Sequence, residues 1–175
     1  EQPEHIDANN NLGVLLDELG KFEQAEKYSR KAIKLKPDQA EAHNNLGNIL
    51  SKLDKTGLAI ASYRKAIELN PVYFKAQNGL ANELQKLNKF EEAEDNYKKA
   101  IDINPNYDEA YNNWGTLLFE CNKLDEAIEK YLQALTINPK QANAKKNIIT
   151  ILNYVVPNKK ITHPIIEANR NLQNI

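Results

Sequence analysis

The chain has 175 residues, 27% of them charged, and a formal net charge of −1, enough length for a domain with its own core. Near-neutrality argues against nucleic acid and against anionic membrane surfaces, which both call for a basic face, and no run reaches the ~18 apolar residues of a membrane span. A lone cysteine, Cys121, excludes an internal disulfide framework.

Prolines set the frame for the predicted elements. Pro37, Pro71, Pro105 and Pro139 stand 34 residues apart, and a fixed period of this length marks a repeat architecture. The first repeat, about 6–39, opens with a helix carrying Leu12, Gly13 and Leu16, breaks at Gly20, and continues into a second helix with Ala25, Tyr28, Ser29 and Ala32. The second, about 40–73, matches it with Leu46, Gly47, Leu50, then Asp54, then Ala59, Tyr63 and Ala66. Its Thr56-Gly57 replaces an aromatic such as Phe22 or Phe90, which predicts a looser turn. The third, about 74–107, has Leu80, Ala81 and Leu84, Asn88, then Ala93, Tyr97 and Ala100. The fourth, about 108–141, has Trp114, Gly115 and Leu118, Asn122, then Ala127, Tyr131 and Ala134. Residues 142–155 continue the first-helix pattern with Ile148, Ile149 and Leu152, and a further short helix is predicted at about 164–174. Together these two read as a capping helix pair that covers the last apolar face; a linker into a further domain is the alternative. With no methionine even at position 1, the chain is expected to be a piece of a longer protein.

Numbering positions from each repeat start, the apolar residues at seven, eight and eleven follow the spacing of one helix face. Small residues at eight and twenty let two helices approach, with a tyrosine at twenty-four filling the space beside them. Position fifteen (Gly20, Asp54, Asn88, Asn122) carries residue types that tolerate the left-handed backbone of a sharp helix stop.

Segments such as AEAHNNLGNIL and EEAEDNYKKAIDINP carry the tetratricopeptide repeat (TPR) signature. The chain resembles that family over residues 6–139, with a pattern similar to the superhelical TPR arrays of O-linked N-acetylglucosamine transferase type. The resemblance implies an all-α, right-handed α-α superhelix: a solenoid of four TPR helix-turn-helix repeats plus the capping pair, in a single domain spanning 1–175. It also implies that ligands are extended peptides or partner helices, held in a concave groove lined by first helices.

Candidate groove residues are Asn11 in the first repeat; Asn44, Asn45, Asn48 and Lys52 in the second; Lys75, Asn78, Asn82 and Lys86 in the third; Asn112 and Asn113 in the fourth; and Asn147 beyond it. At position six, Asn11, Asn45, Asn113 and Asn147 form a carboxamide ladder interrupted at Gly79. A carboxamide both donates and accepts, so such a row can grip a peptide backbone with little regard to its sequence. The competing reading is that asparagine is common throughout this chain and at this position in the family. Lys52, Lys75 and Lys86 lie between Asp7, Asp17 and Glu18 at one end and Glu109 and Glu120 at the other, a field suited to a ligand with a central acid; a solvated face explains it equally. The chaperone-type carboxylate clamp is not expected, because its first-repeat lysine and third-repeat arginine are missing.

Catalysis has little to stand on. His5, His43 and His163 lack metal-ligand spacing, His43 occupies a packing position, and Cys121 has no histidine nearby in the repeat frame. The sequence therefore predicts a non-enzymatic protein-interaction scaffold without cofactor or metal, binding a protein or peptide, with no nucleic acid and no membrane insertion. Self-association through end faces or tail is a further expectation, and a cytoplasmic location is the default. The alternative is a substrate-recruiting or oligomerising arm of a larger enzyme, such as a glycosyltransferase, sulfotransferase or hydroxylase.

Overall fold

A computed structural model of the chain describes residues 6–155. Those residues form helices and short turns: α1 (Ile6–Glu18), α2 (Phe22–Leu35), α3 (Ala40–Lys52), α4 (Thr56–Leu69), α5 (Phe74–Lys86), α6 (Phe90–Ile103), α7 (Asp108–Glu120), α8 (Leu124–Ile137) and α9 (Ala142–Val155). The described residues are all-α, each repeat a pair of helices, with α9 in the first-helix register of a fifth pair. The predicted helix at 164–174, together with His5 and His163, lies outside the described residues.

Each hairpin turn is set by position fifteen. Gly20 has φ 72°, and Asp54, Asn88 and Asn122 have φ 55°, 57° and 58°, so the left-handed stop expected from residue type is present in all four repeats. The next backbone N–H closes the turn onto the carbonyl five residues back: Lys21 to Leu16 at 2.8 Å, Lys55 to Leu50 at 2.9 Å, Lys89 to Leu84 at 3.0 Å and Lys123 to Leu118 at 2.9 Å. This is the Schellman closure, which satisfies carbonyls that the helix end would otherwise leave orphaned. The expectation of a looser turn in the second repeat is overturned. Its closure matches the others because Asp54 and the backbone determine it, whereas Thr56 and Gly57 lie beyond it.

Between repeats the helices end at Leu35, Leu69, Ile103 and Ile137, with proline two residues further on. In the later three, an asparagine side chain caps the turn: the Asn70, Asn104 and Asn138 Oδ1 atoms accept from the backbone N–H of Val72, Asn106 and Lys140 at 3.1–3.2 Å. This Asx turn is a local alternative to helical bonding.

The chain divides into two compact units, residues 1–96 and 97–175, with the division inside α6. In the N-terminal unit α1 packs on α2, α2 on α3, α3 on α4 and α4 on α5, while α3 also touches both α1 and α5. In the C-terminal unit α7 packs on α8, α8 on α9, and α7 touches α9.

The small residues do what their spacing implied. Ala25, Ala32, Ala59 and Ala66 are fully buried in the first unit and Ala127 and Ala134 in the second. A Cβ on Gly47 would lie 2.6 Å from Tyr63 Cε1, and one on Gly115 would lie 2.7 Å from Tyr131 Cε1. Tyr63 is also wedged from the other side, since a Cβ on Gly79 would stand 2.5 Å from the same carbon. Burial of a side chain this size stabilises by roughly 1.5–3 kcal/mol, provided its hydroxyl finds a partner. Tyr63 donates to Asn48 Oδ1 at 2.8 Å and Tyr131 to Thr116 Oγ1 at 3.3 Å.

Candidate functional site

The first-helix faces of the two units carry the expected ligand contacts, and the structure sorts those residues by depth. In the N-terminal unit, Asn11, Asn48, Lys52, Lys75 and Lys86 are exposed, and Asn45 and Asn82 are half-buried. In the C-terminal unit, Asn113 and Asn147 are half-buried. Position five differs. Asn44 and Asn78 are 3% exposed and Asn112 is 7% exposed, so these three groove candidates are buried rather than facing solvent. Position five stands three residues before the small residue at eight, which places it on the edge of the packed stripe.

In the C-terminal unit the buried Asn112 links the ladder instead. Asn112 Nδ2 donates to Asn113 Oδ1, and Asn147 Nδ2 donates to Asn112 Oδ1, each at 3.3 Å. Asn147 also bonds the Tyr131 hydroxyl, although burial outweighs that bond and holds the phenol above its ordinary pKa. In the N-terminal unit the residue matching Asn147 is Gly79, which has no side chain to donate. Asn44 Oδ1 is buried without a partner among the described residues, and so is Asn10 Oδ1, although the matching residue there is Asn45.

The lysines are more engaged than the sequence implied. Lys52 Nζ lies 2.8 and 2.7 Å from the two Asp17 carboxylate oxygens and 5.6 Å from the centre of the Phe22 ring. Lys86 Nζ donates to Glu83 Oε1 at 2.6 Å and to Ser51 Oγ at 2.9 Å, and Ser51 Oγ donates to the same Glu83 oxygen at 2.6 Å. The expected basic centre is thus largely compensated from within the unit, with Lys75 left unpaired among the described residues. Glu83, fully buried, was missed as a singular residue. Position ten is Leu15, Ile49 and Leu117 in the other repeats, and that contrast was the available signal.

Between α1 and α3 lies a notch of about 130 Å³, lined by Val14, Asp17, Glu18, Asn45, Asn48 and Ile49. It combines two carboxamides, two carboxylates and an apolar floor, so it suits a small or cationic side chain on a backbone held by Asn45 and Asn48. His43, by contrast, has its Nε2 2.9 Å from the Pro37 carbonyl oxygen, in keeping with a structural role. Among the described residues no cluster of three or more His, Cys, Asp or Glu could hold a metal ion, and no helix is long and apolar enough to cross a membrane.

Models of the tetratricopeptide repeat match residues 6–39, 40–73, 74–107 and 96–129, and one described as TPR repeat matches 115–145. No curated protein sequence matches significantly. Among solved structures, MamA is similar at 28% identity over 81% of this chain and 82% of its own, with a TM-score of 0.70. PilF of Pseudomonas aeruginosa is similar at 22% identity over 90% of this chain and 78% of its own, TM-score 0.74. YrrB, described as a TPR protein with an unusual peptide-binding site, is similar at 21% identity over 82% and 74%, TM-score 0.69.

Proposed function

Because the chain belongs to the tetratricopeptide repeat family, we propose that it is a non-catalytic protein-interaction scaffold that takes an extended peptide along the first-helix face of its N-terminal unit. The observation that carries this reading is the notch between α1 and α3, where Asn45 and Asn48 flank an apolar floor beside Asp17 and Glu18. The peptide-binding site described for YrrB belongs to that protein and supports such a use of the fold.

The carboxamides at positions six and nine grip the ligand backbone, and the position-five asparagines stand behind them as supports. Each net hydrogen bond adds about 1 kcal/mol, and no large anchor is offered, so affinity is on the order of micromolar. Exposed Lys75 adds a modest preference for a ligand acid, of about 0–1 kcal/mol.

Peptides selected from a displayed random library test the reading. Ligands of this face lose binding to the Asn11→Ala/Asn45→Ala double variant, whose circular dichroism stays that of the parent. N-methylation of two or three ligand amides abolishes binding, whereas single side-chain changes weaken it only slightly. Selected ligands indifferent to both the double variant and N-methylation would sink the proposal.

A further inference from the structure

On a different side of α3 from Asn45 and Asn48, the N-terminal unit holds a cleft of about 420 Å³ between α2, α3 and α4, within the ~300–1,000 Å³ range of ligand-sized clefts. Its floor is apolar, formed by Ile33, Leu46, Leu50 and Leu58. Its rim carries Arg30, Lys34, His43 and Lys65, and no acid is among the lining residues.

Substitutions peculiar to the second repeat create this cleft. Leu58, half exposed, and Ala61 stand where the third repeat has Glu92 and Asp95 and the fourth has Glu126 and Glu129. The apolar residues of α4 therefore replace the acids of α6 and α8, and the Gln24 and Lys27 of α2, at these places. In the C-terminal unit the place of Leu46 is taken by Trp114. Lys98 and Lys130, at the places of Arg30 and Ser62, lie over that indole at 5.5 and 4.2 Å from its centre. That ring lies beneath two cations, whereas Leu46 forms part of the cleft floor.

The charge around the cleft says what it fits. Arg30 pairs with Glu26 at 2.9 Å, but Lys55 shares that carboxylate at 2.7 Å, so this cluster keeps a surplus positive charge. Lys65 pairs with Glu68 at 2.7 Å, and Lys34 has no partner among the described residues. A half-exposed leucine over an apolar floor, with Arg30, Lys34 and Lys65 at the rim and no carboxylate in the lining, complements a segment that presents an apolar anchor between carboxylates.

We propose that this cleft is a second docking site, which seats an acidic segment of a partner protein through one or two large apolar side chains. The rim attracts the carboxylates and sets orientation, while the floor supplies most of the binding by removing apolar surface from water.

The test uses two synthetic twelve-residue probes, one with Phe and Leu flanked by glutamates and its counterpart with each Glu replaced by Lys. Backbone amide resonances are followed by NMR during titration. The acidic probe is expected to give saturable shifts at Ile33, Leu46 and Leu58, weakening as salt rises, and the basic probe none. Leu58→Glu restores the residue type of the third and fourth repeats, so the fold is retained, and binding falls by at least about tenfold. Lys34→Glu weakens binding several-fold and reduces the salt dependence. Equal binding of the basic probe, shifts centred on the first-helix face, or no saturation at millimolar peptide would each overturn the proposal. So would amide shifts at the cleft that follow protein concentration alone, since the face would then be a contact between copies of the chain.

Discussion

A matched pair of glycine-to-alanine changes probes the wedged tyrosine. At Gly47 the new methyl would sit 2.6 Å from Tyr63 Cε1 and 2.8 Å from Cδ1. The ring cannot swing aside, because Gly79 approaches it as closely from α5 and its hydroxyl is tied to Asn48. Overpacking of this kind costs roughly 1–3 kcal/mol, against a gain of about 1 kcal/mol from replacing a mid-helix glycine. The net loss is about 0–2 kcal/mol, which lowers Tm by up to roughly 8 °C for a chain of this size. At Gly57, also helical, nothing lies within 4 Å of the added methyl, so only the gain remains, about 0.5–1 kcal/mol and a Tm rise of roughly 1–3 °C. Thermal unfolding followed by circular dichroism at 222 nm reads both signs. A Gly47→Ala protein stabilised as much as Gly57→Ala would refute the claim that the ring is held from two sides.

Glu83 offers a second test. Glu83→Leu, the residue of the first and fourth repeats, should be neutral or stabilising by about 1–2 kcal/mol in urea denaturation, because a buried carboxylate is exchanged for apolar packing. Glu83→Ala should destabilise by about 2 kcal/mol or more, since it leaves a cavity as well. At Glu26, burial pushes the carboxyl pKa up, but hydrogen bonds from Lys55 and Arg30 outweigh it and hold the value below its usual 4.5. Its contribution is therefore present above pH 4.5 and lost as pH falls through the depressed folded value; in Glu26→Gln, stability should fall less steeply over that acid range. Lys130→Ala, which removes the nearer of the two cations over Trp114, should cost about 0.5–1 kcal/mol, read by the same unfolding measurement.

How much of the site was legible varies with the kind of residue. Position five was misread because it and position six are adjacent, and composition cannot tell a carboxamide that faces a ligand from one that supports its neighbour. Only the packing shows Asn112 bridging Asn113 and Asn147, or the Asn44 oxygen buried without a donor. The lysines were misread for a related reason. Lys52 and Asp17 lie 35 residues apart, and their pairing follows from α3 lying against α1, which no local pattern states.

What the sequence determined by itself is the repeat and everything local to it: helix order, the four left-handed stops, and the small residues that admit a tyrosine. Each rests on short-range backbone preference or on the periodicity of one helix face, and a 34-residue period writes the stops four times and the tyrosine three times, the first repeat having Ser29 in its place. The tertiary structure alone decided which polar groups are buried, which charges cancel, and that Leu58 and Ala61 of the second repeat complete an apolar cleft with a cationic rim. Those outcomes depend on side chains from different helices meeting across the packing, and distance along the chain carries little information about that.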